Sequence, residues 1–188
     1  QFPNAIVDLG GKRSQKRGNF RYPSNHEVIY VNIDPDSSPD ILCDVSSLPF
    51  EAGTQGSAVM CEVLEHLLEP YDALSEVARV LETDGLFVLS VPFLVGIHAD
   101  PSDFQRFTPF KLQQFLEKAG FYKIEIYQMG GLMCVIHDLL HQHLVRNTSL
   151  LAKIGYRILN IIKLILPASI LKIDDQNHWK ATTGYFLI

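Results

Sequence analysis

Short apolar runs that end on an acid or a glycine recur through the first part of the chain. Ala5-Ile6-Val7 leads into Asp8-Leu9-Gly10-Gly11, and Val28-Ile29-Tyr30-Val31-Asn32-Ile33 stops at Asp34-Pro35. Ile41-Leu42-Cys43 stops at Asp44, and Ser57-Ala58-Val59-Met60-Cys61 runs into Glu62. Runs this short, rich in β-branched residues, predict buried strands with tight turns at their carboxyl ends. Between the first two lies Lys12 to Asn25, polar and broken by Gly18 and Pro23, which predicts a loop. From Leu67 to Leu81 the apolar positions fall at three-and-four spacing, predicting an amphipathic helix closed by Gly85. Leu86 to Val91 reads as a fifth strand ended by Pro92. A second helix is expected over Pro109 to Ala119, with Thr108 as N-cap and Gly120 beyond its end. Phe121 to Tyr127 alternates as a sixth strand, and Thr182 to Ile188 reads as a last one. Strands alternating with helices predict an α/β protein with a parallel sheet.

The stretch 150–173 differs. Leu150, Leu151, Ile154, Ile158, Leu159, Ile161 and Ile162 are interspersed with Lys153, Arg157 and Lys163, predicting an apolar, basic-tinged helix that ends at Pro167. It suits a lid over a substrate site, a dimer face, or peripheral contact with an anionic membrane, of which lid or packing is favoured. With the residues from about 132 onward it forms a helical insertion before the last strand. No uninterrupted apolar run reaches about 18 residues, so no spanning helix is expected.

At 188 residues the chain suits one domain, 1–188, and 47% hydrophobic with 20% charged residues fits a globular protein. A net charge of −5 argues against nucleic acid as a partner, although Lys12, Arg13, Lys16, Arg17 and Arg21 form a local basic group. Cys43, Cys61 and Cys134 lack metal spacing and read as reduced thiols of a cytoplasmic protein. The chain begins at Gln1, which leaves a removed targeting segment open.

Chemistry concentrates at the ends of the predicted strands. In an open α/β sheet, ligands bind at the carboxyl ends of the strands near the point where strand order reverses. Gly10 and Gly11 let backbone approach a ligand that a Cβ would block. Asp34 follows Gly10 at close to the spacing of roughly 20 residues that separates a glycine turn from a ribose-binding acid. Asp44 can accept from an exocyclic amine such as that of adenine. The competing reading is that both acids simply start turns. His66 and His98 are candidate general bases, His98 first, and Arg106 can clamp a carboxylate or phosphate. For Arg106 the competing reading is a salt bridge to Asp103. His137 and His141, four apart on one helical face, form a possible metal pair, but polar positions of an amphipathic helix are favoured, and no metal is expected.

Together these residues resemble a class I S-adenosylmethionine-dependent methyltransferase, of the type 11 kind. The resemblance rests on Val7-Asp8-Leu9-Gly10-Gly11, Asn32-Ile33-Asp34, Cys43 to Phe50, Glu62-Val63-Leu64-Glu65-His66 and Glu76 to Leu81, and covers about 5–128. It implies a Rossmann-like sheet of seven strands, mostly parallel, with an antiparallel last strand. It implies S-adenosylmethionine as cofactor: Asp8, Gly10 and Gly11 along its methionine side, Asp34 on the ribose, Asp44 and Val45 at the adenine, Cys61 and Glu62 by the reactive centre. The implied reaction is methyl transfer to a small or medium acceptor, with a glycan, lipid or other metabolite suggested by Val91-Pro92-Phe93, His98, Pro101, Asp103-Phe104 and Arg106-Phe107-Thr108. Lys12 and Arg13 stand where that family has a small residue and a third glycine, and Gly56 where it has an acid. The alternative function is a catalytically inactive protein of this fold acting as a binding or scaffold module.

Overall fold

The computed structural model describes residues 5–13, 22, 25–98, 102–147, 149–165 and 181–188. Lys16, Arg17 and Arg21, Pro167, the end of the 150–173 stretch and much of the Lys12–Asn25 loop lie outside the described residues. Seven strands form one sheet: β1 (Ile6–Leu9), β2 (Val28–Asn32), β3 (Ile41–Leu42), β4 (Gln55–Cys61), β5 (Leu81–Pro92), β6 (Ile126–Met129) and β7 (Gly184–Leu187). Their spatial order is β3-β2-β1-β4-β5-β7-β6. β1 pairs in parallel with β2 on one side and β4 on the other, Val7 lying opposite both Ile29 and Ala58. β7 runs antiparallel between β5 and β6, completing the Rossmann-like arrangement the resemblance implied. Val7, Asp8 and Leu9 are all buried, as expected for a central parallel strand covered on both faces.

Two helices sit against this sheet, α1 (Pro70–Val80) and α2 (Pro109–Ala119). α1 buries Ala73, Leu74, Val77 and Val80 at helical spacing, and α2 buries Leu112 and Leu116. α1 meets α2 through the Tyr71 hydroxyl, which donates to the Lys118 carbonyl at 3.1 Å, and through the Tyr71–Phe115 ring contact. α2 keeps its predicted bounds: the Thr108 side chain accepts from the Lys111 N–H, and Gly120 takes φ 104° as a left-handed cap.

Three of the boundaries that differ from expectation have a local cause. The first helix starts at Pro70 rather than Leu67, because proline bars the preceding residue from helical geometry; Leu64–His66 is instead a short 3-10 turn. That helix ends at Val80, and Gly85 lies inside β5, where Asp84 adopts φ 64° and the register against β4 shifts between Gln55 and Ser57. The sixth strand begins at Ile126 rather than Phe121. Lys123, at φ 57°, breaks the alternation, and Phe121 stacks on Phe87 with centroids 5.1 Å apart.

The residues expected to form an insertion supply α3 (Leu132–Arg146) and α4 (Leu150–Ile165), which pack on each other. A Cβ on Gly155 would stand 3.3 Å from a Leu144 methyl, so the absent side chain permits the close approach. The rings of His137 and His141 stack at 5.9 Å, and His141 also meets Tyr156 of α4 at 5.1 Å, a packing role. Leu151 and Ile161 of α4 stay exposed. Among the described residues no helix is long and apolar enough to cross a membrane.

Candidate active site

The carboxyl ends of β1 to β5 carry two neighbouring groups of side chains. The first follows β1, β2 and β3. Gly10 turns the chain at φ 77°, and a Cβ there would lie 2.5 Å from a Val63 methyl. A Cβ on Gly11 would stand 2.2 Å from an oxygen of the Asp8 carboxylate, so only glycine lets this turn close over that buried acid. The Asn32 side-chain amide donates to the Gly11 carbonyl at 3.0 Å, tying the turn to β2.

Asp34 accepts from the Asp36 N–H at 2.9 Å, and Asp44 from the Ser46 N–H at 2.8 Å. Both acids therefore start turns, and the competing sequence reading is realised as well as the strand-end placement. Lys12 approaches the other Asp34 oxygen at 3.6 Å, and Arg13 pairs with Asp40 and lies over the Tyr30 ring. The two basic residues that follow the glycine pair are thus drawn onto acids of the β2–β3 side. Val45 is buried behind Asp44. Arg79 donates to the Leu48 and Phe50 carbonyls at 3.1 and 3.0 Å and to Glu76, whose carboxylate also accepts from the Leu48 N–H at 2.7 Å. This strap anchors the segment that carries Asp44 and Val45, and the Arg79 bonds hold the Glu76 carboxyl below its usual range.

The second group follows β4 and β5. Glu62, at φ 53°, sits in the left-handed region that non-glycine residues rarely adopt, and its carboxylate accepts from the Ser90 hydroxyl at 2.9 Å. Four residues on, His66 contacts the Ser102 carbonyl through Nδ1. His98 lies edge-on to His66, ring centroids 5.4 Å apart. Asp103 accepts from the His98 N–H at 3.0 Å and is gripped by both terminal nitrogens of Arg106. Those bonds hold the Asp103 carboxyl well below the usual carboxylate range. The fork expected to clamp an acceptor is therefore occupied by Asp103, and Arg106 positions Asp103 and, through it, His98.

Glu65, to which the sequence reading assigned no role, lies between the two histidines. It is fully buried, and neither carboxylate oxygen has a hydrogen-bond partner among the described residues. His66 Nε2 and His98 Nε2 each approach Oε1 at 3.6 Å. Burial pushes its carboxyl up to about 7, with the Glu62 charge adding to the rise. The available signal was an acid beside His66 in the run Glu62 to His66; its burial was not. A separate cavity of about 430 Å³ at the amino ends of β2 and β3, lined by residues including Arg13, Tyr30, Asp40 and Ile41, contains none of these groups. Cys43, Cys61 and Cys134 form no disulfide among the described residues.

The turn at Gly10–Gly11 and the partly exposed Asp34 (side chain 40% accessible) fit an extended ligand with hydroxyl donors laid across β1 and β2. Residues 16–89 match the family described as methyltransferase domain. No protein of curated function matches the sequence. A SAM-dependent methyltransferase from Archaeoglobus fulgidus is similar in structure, with TM-score 0.59 and 14% identity, across 99% of this chain and 86% of that one. Phosphoethanolamine N-methyltransferase 2 of Haemonchus contortus, solved with phosphomonomethylethanolamine and S-adenosylhomocysteine, gives TM-score 0.56 and 13% identity, across 100% of this chain and 48% of that one. A putative methyltransferase from Haloferax volcanii, in complex with the Trm112 methyltransferase activator, gives 0.57 and 16%, across 98% and 80%. Over residues 16–89 the chain matches the methyltransferase domain family, and its fold is that of the S-adenosylmethionine-dependent methyltransferases.

Proposed function

We propose that the protein transfers the methyl group of S-adenosylmethionine to a small or medium acceptor, through a single methyltransferase-like domain whose insertion spans about 132–173. One observation carries this reading: strand order β3-β2-β1-β4 brings Gly10–Gly11, Asp34, Asp44 and Cys61–Glu62 to the same edge of adjacent strands. Asp34 accepts from the ribose hydroxyls, Asp44 and Val45 hold the adenine, and Asp8, Gly10 and Gly11 follow the methionine part. Cys61 and Glu62 border the sulfonium, whose positive charge a neighbouring carboxylate favours. The acceptor's lone pair attacks the methyl carbon as the carbon–sulfur bond breaks, leaving a neutral thioether. Most of the acceleration comes from holding donor and acceptor in line. His98 and His66 stand on the acceptor side, where an imidazole takes the proton that a hydroxyl or ammonium acceptor must lose.

The test is calorimetric titration of S-adenosylhomocysteine, with Asp34→Ala as control. Saturable one-site binding, at least about tenfold weaker in the variant, is expected from the loss of paired hydrogen bonds to a charged group. A second reading, a scaffold of this fold without turnover, is favoured by the Lys12–Asp34 contact, which occupies one ribose-facing oxygen. Absence of binding by the folded chain would support it.

A further inference from the structure

We propose that Glu65, His66 and His98 form a binding site for one first-row divalent transition-metal ion. The proposal goes beyond methyl transfer and stands on the geometry of these side chains alone. An imidazole bound to the ion has no free lone pair, so with metal present His66 and His98 hold the ion in place of the proton-accepting role given to them above. Their candidate ligand atoms all lie within 4.8 Å of one another. The tautomers follow from the outer contacts. The Ser102 carbonyl can only accept, so His66 carries its proton on Nδ1 and turns the Nε2 lone pair toward Glu65. His98 Nδ1 faces the Gly96 carbonyl at 3.3 Å and the Asp103 carboxylate at 3.6 Å, both acceptors, so its Nε2 lone pair also faces Glu65.

With Glu65 ionised, three electron-rich atoms converge on one point with no donor among them. A cation relieves that arrangement. A shared proton fits poorly, since both nitrogens stand 3.6 Å from the carboxylate oxygen, beyond the roughly 3.2 Å limit of a good hydrogen bond. A metal fits better: bonds of about 2.1 Å place neighbouring ligand atoms roughly 3.0–3.4 Å apart, so only small side-chain shifts are needed. Each imidazole already donates its second nitrogen to a carbonyl or carboxylate, the outer support that orients metal-bound histidines. Two imidazoles and one carboxylate suit zinc, cobalt, iron or manganese rather than calcium or magnesium, which prefer all-oxygen shells. Three protein ligands leave positions for water or an acceptor oxygen, on the side where His98 is 41% accessible.

The probes are Zn²⁺ by calorimetry and Co²⁺ by visible absorption, on the full chain after chelator treatment. One ion per chain is expected, with d–d bands for cobalt, and at least about tenfold weaker uptake in His98→Ala and Glu65→Gln. His98 is exposed enough that its variant keeps the fold even where the Glu65 variant does not. His137→Ala should bind as the unsubstituted chain does. Failure of the unsubstituted chain to take up one ion saturably, or uptake that His98→Ala leaves unchanged, overturns the proposal. S-adenosylhomocysteine titrated into the same variants reports the cofactor site independently, so loss of one reading is distinguishable from loss of the other.

Discussion

The two halves of the candidate site are built from similar residue types under opposite conditions. Around β1 to β3 the acids Asp34 and Asp44 are accessible, and each binds backbone two residues ahead of it. Around β4 and β5 the central acid is buried, and of its two histidine neighbours one, His98, comes from 33 residues away. Glu76 and Glu65 make the contrast sharp. Glu76 is half-buried under three donor contacts from Arg79 and Leu48, which favour its charge; Glu65 is fully enclosed with no donor among the described residues, which opposes its charge. The same side chain serves as a strap in one half and as a strained group in the other. Burial matters less than what the buried oxygen faces.

The largest expected effect is on the first half. Gly11→Ala pushes a methyl into the Asp8 carboxylate, and a loss of about 2–3 kcal/mol in folding stability is expected, read by urea denaturation. The same variant should lose S-adenosylhomocysteine binding even where it stays folded. A mutant with unchanged midpoint would show that the turn is loose.

The paired glutamates give opposite pH signatures. Glu65 in metal-free protein has its folded-state pKa raised to about 7. Below the ordinary glutamate value of about 4.3 it is protonated folded or unfolded, and its contribution is fully present. As pH rises toward 7 the unfolded chain ionises and the folded one resists, so stability falls. Glu65→Gln should therefore gain on the unsubstituted chain between about pH 4.3 and 7, measured by thermal melts with chelator. Glu76 has the reverse sign: its folded pKa is lowered, so its contribution is present above about 4.3 and lost as pH falls through the depressed value. Glu76→Gln should cost about 1 kcal/mol at pH 7, with the gap closing on acidification. A gap that widens in acid would reverse the assignment.

The smallest effect concerns Lys12. Removing its ammonium frees the Asp34 oxygen proposed to accept from the ribose, and Lys12→Ala should tighten S-adenosylhomocysteine binding by about two- to fivefold in low salt, less in high salt. Weaker binding in the variant would mean that Lys12 itself touches the cofactor.

What the sequence determined is local. Strand runs ending on Asp34, Asp44 and Glu62, and a helix between Thr108 and Gly120, are set by residues in mutual contact along the chain, because turn, cap and period each act within a few positions. It misread Gly85 as the stop of the first helix because glycine serves a strand irregularity as well as it would a helix stop, and only pairing with β4 decides between them. The tertiary structure alone decided that Asp103 takes the Arg106 fork, that His98 returns to His66, and that Glu65 is sealed between them. Burial and long-range approach depend on how the strands are ordered in space, and a carboxyl's chemistry follows from that enclosure.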